Sequence, residues 1–275
     1  VSEGVVGEGG EVLFFVLHRL VLASSCCSLA WCLSRVSCVG VRVSYLHPLV
    51  WEHLFVAEEM GDGPLDRGAR IKLSIGTKQA SNADGQCYKP RGLMFDHRRG
   101  LLLVADSWNH RVQVFSCDGD GGSFVSKLGK EGNQPGQFRY PWSLAIDHDH
   151  DRILIIDSRN HRVQSWSLSE QSFLSCIGYR GSGDLEFNGP QGIAIDKHHR
   201  RIIVADTHNN RLVFLSSIDL SFLFSIGKRG SQPGEFYFPT GIAIDHDRHR
   251  IIVCDSINHR VQVLSSIDGS FLLEF

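Results

Sequence analysis

Four stretches of this chain are near copies of one another, set about fifty residues apart. Pro239 opens PTGIAIDHDRHRIIVCDSINHRVQVL, Pro190 opens PQGIAIDKHHRRIIVADTHNNRLVFL, Pro141 opens PWSLAIDHDHDRILIIDSRNHRVQSW and Pro90 opens PRGLMFDHRRGLLLVADSWNHRVQVF. Self-similarity at that pitch marks a repeat architecture, in which a unit too small to bury its apolar faces alone stacks against its neighbours.

Each copy divides into four short strands. In the third they are GIAID at 192–196, RIIVAD at 201–206, RLVFL at 211–215 and FLFSI at 222–226. All are rich in β-branched and aromatic residues and bounded by turn formers. The first two are almost continuously apolar, as expected of strands covered on both faces. Four short antiparallel strands per repeat predict an all-β protein, a β-propeller with four recognisable four-stranded blades at about 88–128, 137–177, 186–226 and 235–275. The hexamer Ile71–Gly76, IKLSIG, matches the last strand of each copy and reads as an orphan outer strand within a linker at 60–87. A strand left over in front and a chain that stops inside a strand at Phe275 predict a partial or truncated ring, with self-association of its open propeller edges as a consequence.

The punctuation is equally regular. Gly92, Gly192 and Gly241 follow proline by two positions, where a missing Cβ lets innermost strands approach one another; Ser143 holds that place in the second copy. Asp106, Asp157, Asp206 and Asp255 end the second strand. Asn109, Asn160, Asn209 and Asn258 follow three residues later, suited to a tight connection through local hydrogen bonds and left-handed backbone. Arg111, Arg162, Arg211 and Arg260 restart the chain, so each blade is expected to hold a structural Asp–Arg pair.

At these residues the chain resembles the NHL repeat family, whose Asn-His-Leu motif is written here as Asn109-His110-Arg111-Val112, Asn160-His161-Arg162-Val163, Asn209-Asn210-Arg211-Leu212 and Asn258-His259-Arg260-Val261. The likeness covers 88–275 and the strand at Ile71. It implies a ring that is typically six-bladed. It also implies three functions: a protein-recognition scaffold, the RNA-binding NHL domain of a ubiquitin-ligase-like regulator of the tripartite-motif kind, or a lyase-like enzyme using metal and histidines in its central cavity.

Composition narrows little further. At 42% hydrophobic and 21% charged, with a net charge of -2, the chain is globular in character and carries no global field that would announce a nucleic acid or an anionic membrane. Residues 1–59 form a leader expected to be poorly structured or not authentic. Its apolar run at 12–22 is broken by His18 and Arg19 and fits neither a spanning helix nor a signal peptide, so no membrane partner is expected. Eight scattered cysteines without a paired pattern point to a reducing, cytoplasmic setting. Cys254, at the strand position of Ala105 and Ala205, is expected to be a small buried side chain.

Histidines cluster after the first-strand aspartates, as His148 with His150, His198 with His199 and His246 with His249. They fall in hairpins between the first and second strands and are expected to face solvent at one rim without converging on a metal. No GxSxG elbow, HExxH helix or phosphate-cradling glycine loop occurs in the sequence, so no catalytic residue, cofactor or metal is assigned and a non-enzyme is expected. The opposite rim reads as a binding platform. It collects Trp108, His110, Lys130, Arg139, Tyr140, Arg159, His161, Tyr179, Arg180, Lys228, Arg229 and Tyr237, an interleaving of aromatics and cations that suits protein hot spots first and stacked RNA bases second. Phe138, Phe187 and Phe236 in the same loops read as packed anchors between blades.

Overall fold

The structure, a computed structural model, describes residues 41–44, 54–59, 73–76, 79–117 and 122–275. Four sheets of four consecutive antiparallel strands make up the ring. Blade one comprises Leu93–Asp96, Leu101–Asp106, Arg111–Ser116 and Ser123–Leu128. Blade two comprises Pro141–Asp147, Arg152–Asp157, Arg162–Ser167 and Phe173–Ile177. Blade three comprises Gly192–Asp196, Arg201–Asp206, Arg211–Ser216 and Phe222–Ile226, and blade four Pro239–Asp245, Arg250–Asp255, Arg260–Ser265 and Phe271–Glu274.

The strand expected to stand alone ahead of blade one does not. Leu73–Ile75 pairs antiparallel with Leu54–Glu59, which pairs with Val41–Ser44, so its earlier strands lie in a segment that lacks the Asp and Asn-His-Arg signature of the other blades. The rest of the expected leader, with its apolar run at 12–22 and four of the cysteines, lies outside the described residues. Among the described residues no helix is long and apolar enough to cross a membrane.

Why the second strands are apolar throughout is visible in how the sheets stack. Successive side chains point to opposite faces, and each face packs on a different neighbour. Leu103 and Ala105 of blade one share a core with Ile153 and Ile155 of blade two, while Leu154 and Ile156 join Ile202 and Val204 of blade three. Ile203 and Ala205 then join Ile251 and Val253 of blade four. On the other side of blade one, Leu102 and Val104 meet Ile75 of the three-stranded sheet. Phe138, Phe187 and Phe236 are fully buried in the three cores between blades. Innermost strands approach so closely that a Cβ on Gly92 would lie 2.6 Å from the Trp142 carbonyl oxygen, and one on Gly192 would meet that of Thr240.

Cys254 departs from expectation. Ala105 and Ala205 are fully buried, whereas Cys254 is half-buried, because the face of blade four that carries Ile252 and Cys254 has no further sheet of the described chain against it.

Candidate functional site

Each Asn-His-Arg motif forms a short 3-10 turn, Ser107–Asn109, Ser158–Asn160, Thr207–Asn209 and Ser256–Asn258. The left-handed residue is the one after Asn: His110, His161, Asn210 and His259 have φ between 54° and 56°. Asn therefore serves as a donor, not as the backbone exception expected of it. A buried aspartate is the hub. Asp157 Oδ2 accepts from Asn160 Nδ2 at 2.8 Å, Arg162 Nε at 2.7 Å and Gln164 Nε2 at 2.9 Å, and its Oδ1 accepts from the Arg139 amide at 2.7 Å. Asp106 and Asp255 repeat all four bonds, and Asp206 repeats three, since Val213 replaces the glutamine. Burial pushes the Asp157 and Asp206 carboxyls above the usual carboxylate range, and these donors pull against that shift.

The same side chains sew down the loop that precedes the blade. Arg162 Nη2 donates to the carbonyls of Gln134 and Gln137, Gln164 Oε1 accepts from the Gly136 amide, and Asn160 Nδ2 donates to the Gly132 carbonyl. That last bond spans 28 residues in every blade. The loops are also pinned by parallel bridges, Glu131 with Phe138, Arg229 with Phe236, and Tyr179–Arg180 with Glu186–Phe187.

The third motif residue reaches forward to the next loop. Nδ1 of His110 accepts from the Tyr140 amide and Nδ1 of His161 from the Gly189 amide, both at 3.0 Å. In the third copy Oδ1 of Asn210 accepts from the Phe238 amide at the same distance. The place requires an acceptor on a left-handed residue, which both side chains provide, so the departure of Asn210 from the motif is chemically conservative. Burial, aided by the nearby charges of Arg180, His208 and Arg159, holds His161 below the usual histidine range and keeps that nitrogen unprotonated.

These bonds place the turns and the inter-blade loops on one rim. The Trp108 amide donates to the Tyr88 carbonyl and the Arg159 amide to the Arg139 carbonyl. The residue before each blade's proline, Lys89, Tyr140, Gly189 or Phe238, is left-handed with φ between 44° and 58°, a conformation disfavoured for most residues, and above all ahead of proline. Trp108, 37% exposed, meets Tyr88 at 5.2 Å and Tyr140 edge-on at 5.6 Å, with His110 against Tyr140 at 4.6 Å. Lys89 Nζ stands 3.9 Å above the Trp108 ring. A second group joins Arg229, stacked 4.7 Å from Tyr237, to Phe238 and His208. Tyr88, Lys89, Phe238 and His208 were not among the expected rim residues. The left-handed position before proline is the signal that could have found Lys89 and Phe238.

Lys130, Arg139, Arg159 and Arg180 are exposed, Lys228 is within 3.3 Å of Glu235, and exposed Tyr179 is hydrogen-bonded to Glu186. Glu186 and Glu235 accept from loop amides, Glu186 from Ser182 and Gly183 and Glu235 from Gln232, whereas Glu131 and Asp184 of the same loops are exposed, so the rim carries charge of both signs. Among thiols, burial pushes Cys87 up to about 12, which removes it as a nucleophile.

On the opposite rim the hairpin histidines do not simply face solvent. His148 lies 3.5 Å from Asp96 of the preceding blade, and His198, His199, His246 and His249 are in ring contact across blades three and four.

Known proteins resemble this chain in several ways. A family model described as a 6-bladed beta-propeller matches residues 94–180 and 185–274. NHL repeat-containing protein 2 of Gallus gallus is 26% identical over 135 residues, 42% of this chain and 19% of that protein. A probable peptidyl-alpha-hydroxyglycine alpha-amidating lyase of Caenorhabditis elegans is 30% identical over 100 residues, 36% of this chain and 28% of the lyase. Peptidyl-glycine alpha-amidating monooxygenase B of Xenopus laevis is 33% identical over 81 residues, 28% of this chain and 9% of that protein. The chain thus matches about a fifth of the length of the first of these relatives. Hydrazine synthase of Kuenenia stuttgartiensis superimposes with a TM-score of 0.53 at 13% identity, covering 71% of this chain and 51% of that one, a likeness of fold. The expectation of a non-enzyme is overturned here, because two of these relatives carry the names of enzymes.

Proposed function

We propose that this chain, which belongs to the 6-bladed beta-propeller family and is an NHL-type propeller, acts as a recognition platform for a protein partner through the rim of the Asn-His-Arg turns. The observation that carries the reading is the Tyr88, Trp108, Tyr140 and His110 group capped by Lys89, on a rim that also exposes Lys130, Arg139, Arg159 and Arg180. Aromatic faces fixed by backbone hydrogen bonds lose little freedom on binding, which makes them efficient anchors. The aspartate hubs are structural in this reading, and the expected site residues divide accordingly: the Asp, Asn and Arg of each motif hold the rim, and the aromatics and cations meet the partner.

The test is affinity capture with the full chain, comparing the parent with Trp108→Ala and with Arg159→Ala/Arg180→Ala. A protein partner lost on Trp108→Ala, with binding only weakly dependent on salt, is the expected result. Capture of RNA, with affinity falling steeply as salt rises and lost with the arginines, would replace protein by RNA as the ligand. Capture unchanged in both variants would remove the rim from the function.

The enzyme-named relatives favour a second reading, a lyase acting on peptides ending in α-hydroxyglycine. Incubation with such a peptide, monitored for release of the amidated product, separates it from the platform: turnover by the purified chain establishes it, and none above a heat-denatured control removes it.

A further inference from the structure

The rim opposite the proposed platform carries a cluster that the platform does not use. Hairpins of blades three and four stand side by side there. The His198 ring centre lies 5.5 Å from that of His246 and 5.4 Å from that of His249, and His199 lies 5.9 Å from His249. The hairpins of blades one and two carry histidines as well, His97 and His148 with His150, but it is His198, His199, His246 and His249 that stand in ring contact with one another.

Two features set the cluster apart from histidines that merely decorate turns. Nδ1 of His246 is buried and has no hydrogen-bond partner, an arrangement that leaves a polar atom unsatisfied unless something binds it. Nδ1 of His199 is 2.8 Å from Asp196 Oδ2. A carboxylate acceptor puts the proton on Nδ1 and leaves Nε2 with a free lone pair, the arrangement by which carboxylates orient metal-binding imidazoles. The spacing agrees as well. Two imidazoles on one tetrahedral ion at ~2.0–2.1 Å have ring centres about 5 Å apart, close to the separations on either side of His198.

We propose that His198, His246 and His249, with His199 held by Asp196, bind a divalent late transition metal of the zinc class that ties blade three to blade four. Imidazole sets favour zinc, copper or nickel over magnesium or calcium, which prefer oxygen. The nitrogens are not yet gathered as a closed set: among the described residues no three His, Cys, Asp or Glu groups stand in metal-holding positions. His198 and His249 are exposed, and rotation of such tips about their side-chain bonds is fast. The ion completes the site by drawing them in toward His246.

Calorimetric titration of the full chain with Zn2+, and visible absorption with Co2+ as the probe, test this directly. One equivalent bound, a tetrahedral cobalt spectrum and at least about tenfold weaker binding in His198→Gln or His249→Gln are expected, with His97→Gln unchanged. Because both substituted residues are exposed hairpin tips, the variants keep the fold, which an unaltered melting temperature without metal verifies. Absence of saturable binding overturns the proposal, as does binding that survives His198→Gln. Loss of metal with the partner of the other rim still captured, or the reverse, tells failure of this site from failure of the platform.

Discussion

Blades three and four carry nearly the same residues and differ in what surrounds them. In blade three every residue of Arg201–Asp206 is buried, whereas in blade four buried and half-buried residues alternate along Arg250–Asp255. Arg201 Nη2 donates to the Ser266 carbonyl of the next blade, as Arg152 Nη2 does to that of Ser217. Asn210 accepts the Phe238 amide, while His259 is exposed. The aspartate hub is the same in both, with Asp206 and Asp255 fully buried and their arginines 2.9 and 2.8 Å away. The comparison separates the motif into a half that fastens each blade to its own incoming loop and a half that needs a following blade.

That division can be broken by measurement. The largest effect is expected at the hub: Asp206→Ala removes the buried carboxylate that joins Arg211, Asn209 and the Asn188 amide, leaving half-buried Arg211 without its partner, and should cost about 3–5 kcal/mol in chemical denaturation. Asp255→Ala should cost about the same, because the hub does not depend on the next blade; a loss under about 1 kcal/mol at Asp255 would show that it does. Next, Ile203→Ala should cost about 2–5 kcal/mol by opening a cavity between blades, and Ile252→Ala distinctly less, its side chain being half-buried. Equal losses would mean that the open face of blade four is covered in solution, which light scattering would register as a larger particle. Arg201→Met removes the strap to Ser266 together with the contact to Asp196, which keeps His199 as a partner, and should cost about 1–3 kcal/mol, against a smaller change for Arg250→Met.

The smallest effect is a matter of pH. Burial depresses His161 in the folded chain, so the unfolded chain takes up the proton first as pH falls below 6.5. Its contribution is complete above that value and is lost progressively below it, as protonation of Nδ1 breaks the bond from the Gly189 amide. His161→Asn copies what Asn210 does in the next blade with a group that does not titrate. It should flatten the decline of the denaturation midpoint between about pH 7 and pH 5; an unchanged decline would assign it to other histidines, such as the similarly depressed His148 and His246.

Much of this was legible in the residues. The two-sided second strands, the buried loop phenylalanines and the Asp–Arg pairs all follow from repetition, because a role played in every blade leaves a mark in every copy. What escaped did so for physical reasons. The straps from Arg152 and Arg201 end on backbone carbonyls 65 residues ahead, and a carbonyl has no letter in the sequence. The left-handed turn residue was misplaced by one because asparagine is the usual exception, whereas here asparagine donates and histidine bends. The histidines of the lower rim look like independent turns along the chain; only the stacking of blades brings His198 between His246 and His249.

The bond from each motif asparagine to a carbonyl 28 residues earlier acts as a ruler laid along the chain. In all four copies the incoming loop, the innermost strand, the hairpin after it and the second strand together fill that span with the same number of residues. The motif asparagines are nonetheless 51, 49 and 49 residues apart, so the slack lies outside the ruler, in the stretch from the third strand through the outer one. Anyone wishing to graft a label, a tether or another domain onto this ring has a rule to follow: insert at the hairpin between the third and outer strands, such as Ser169–Glu170 or Ile267–Asp268, where the ruler does not reach.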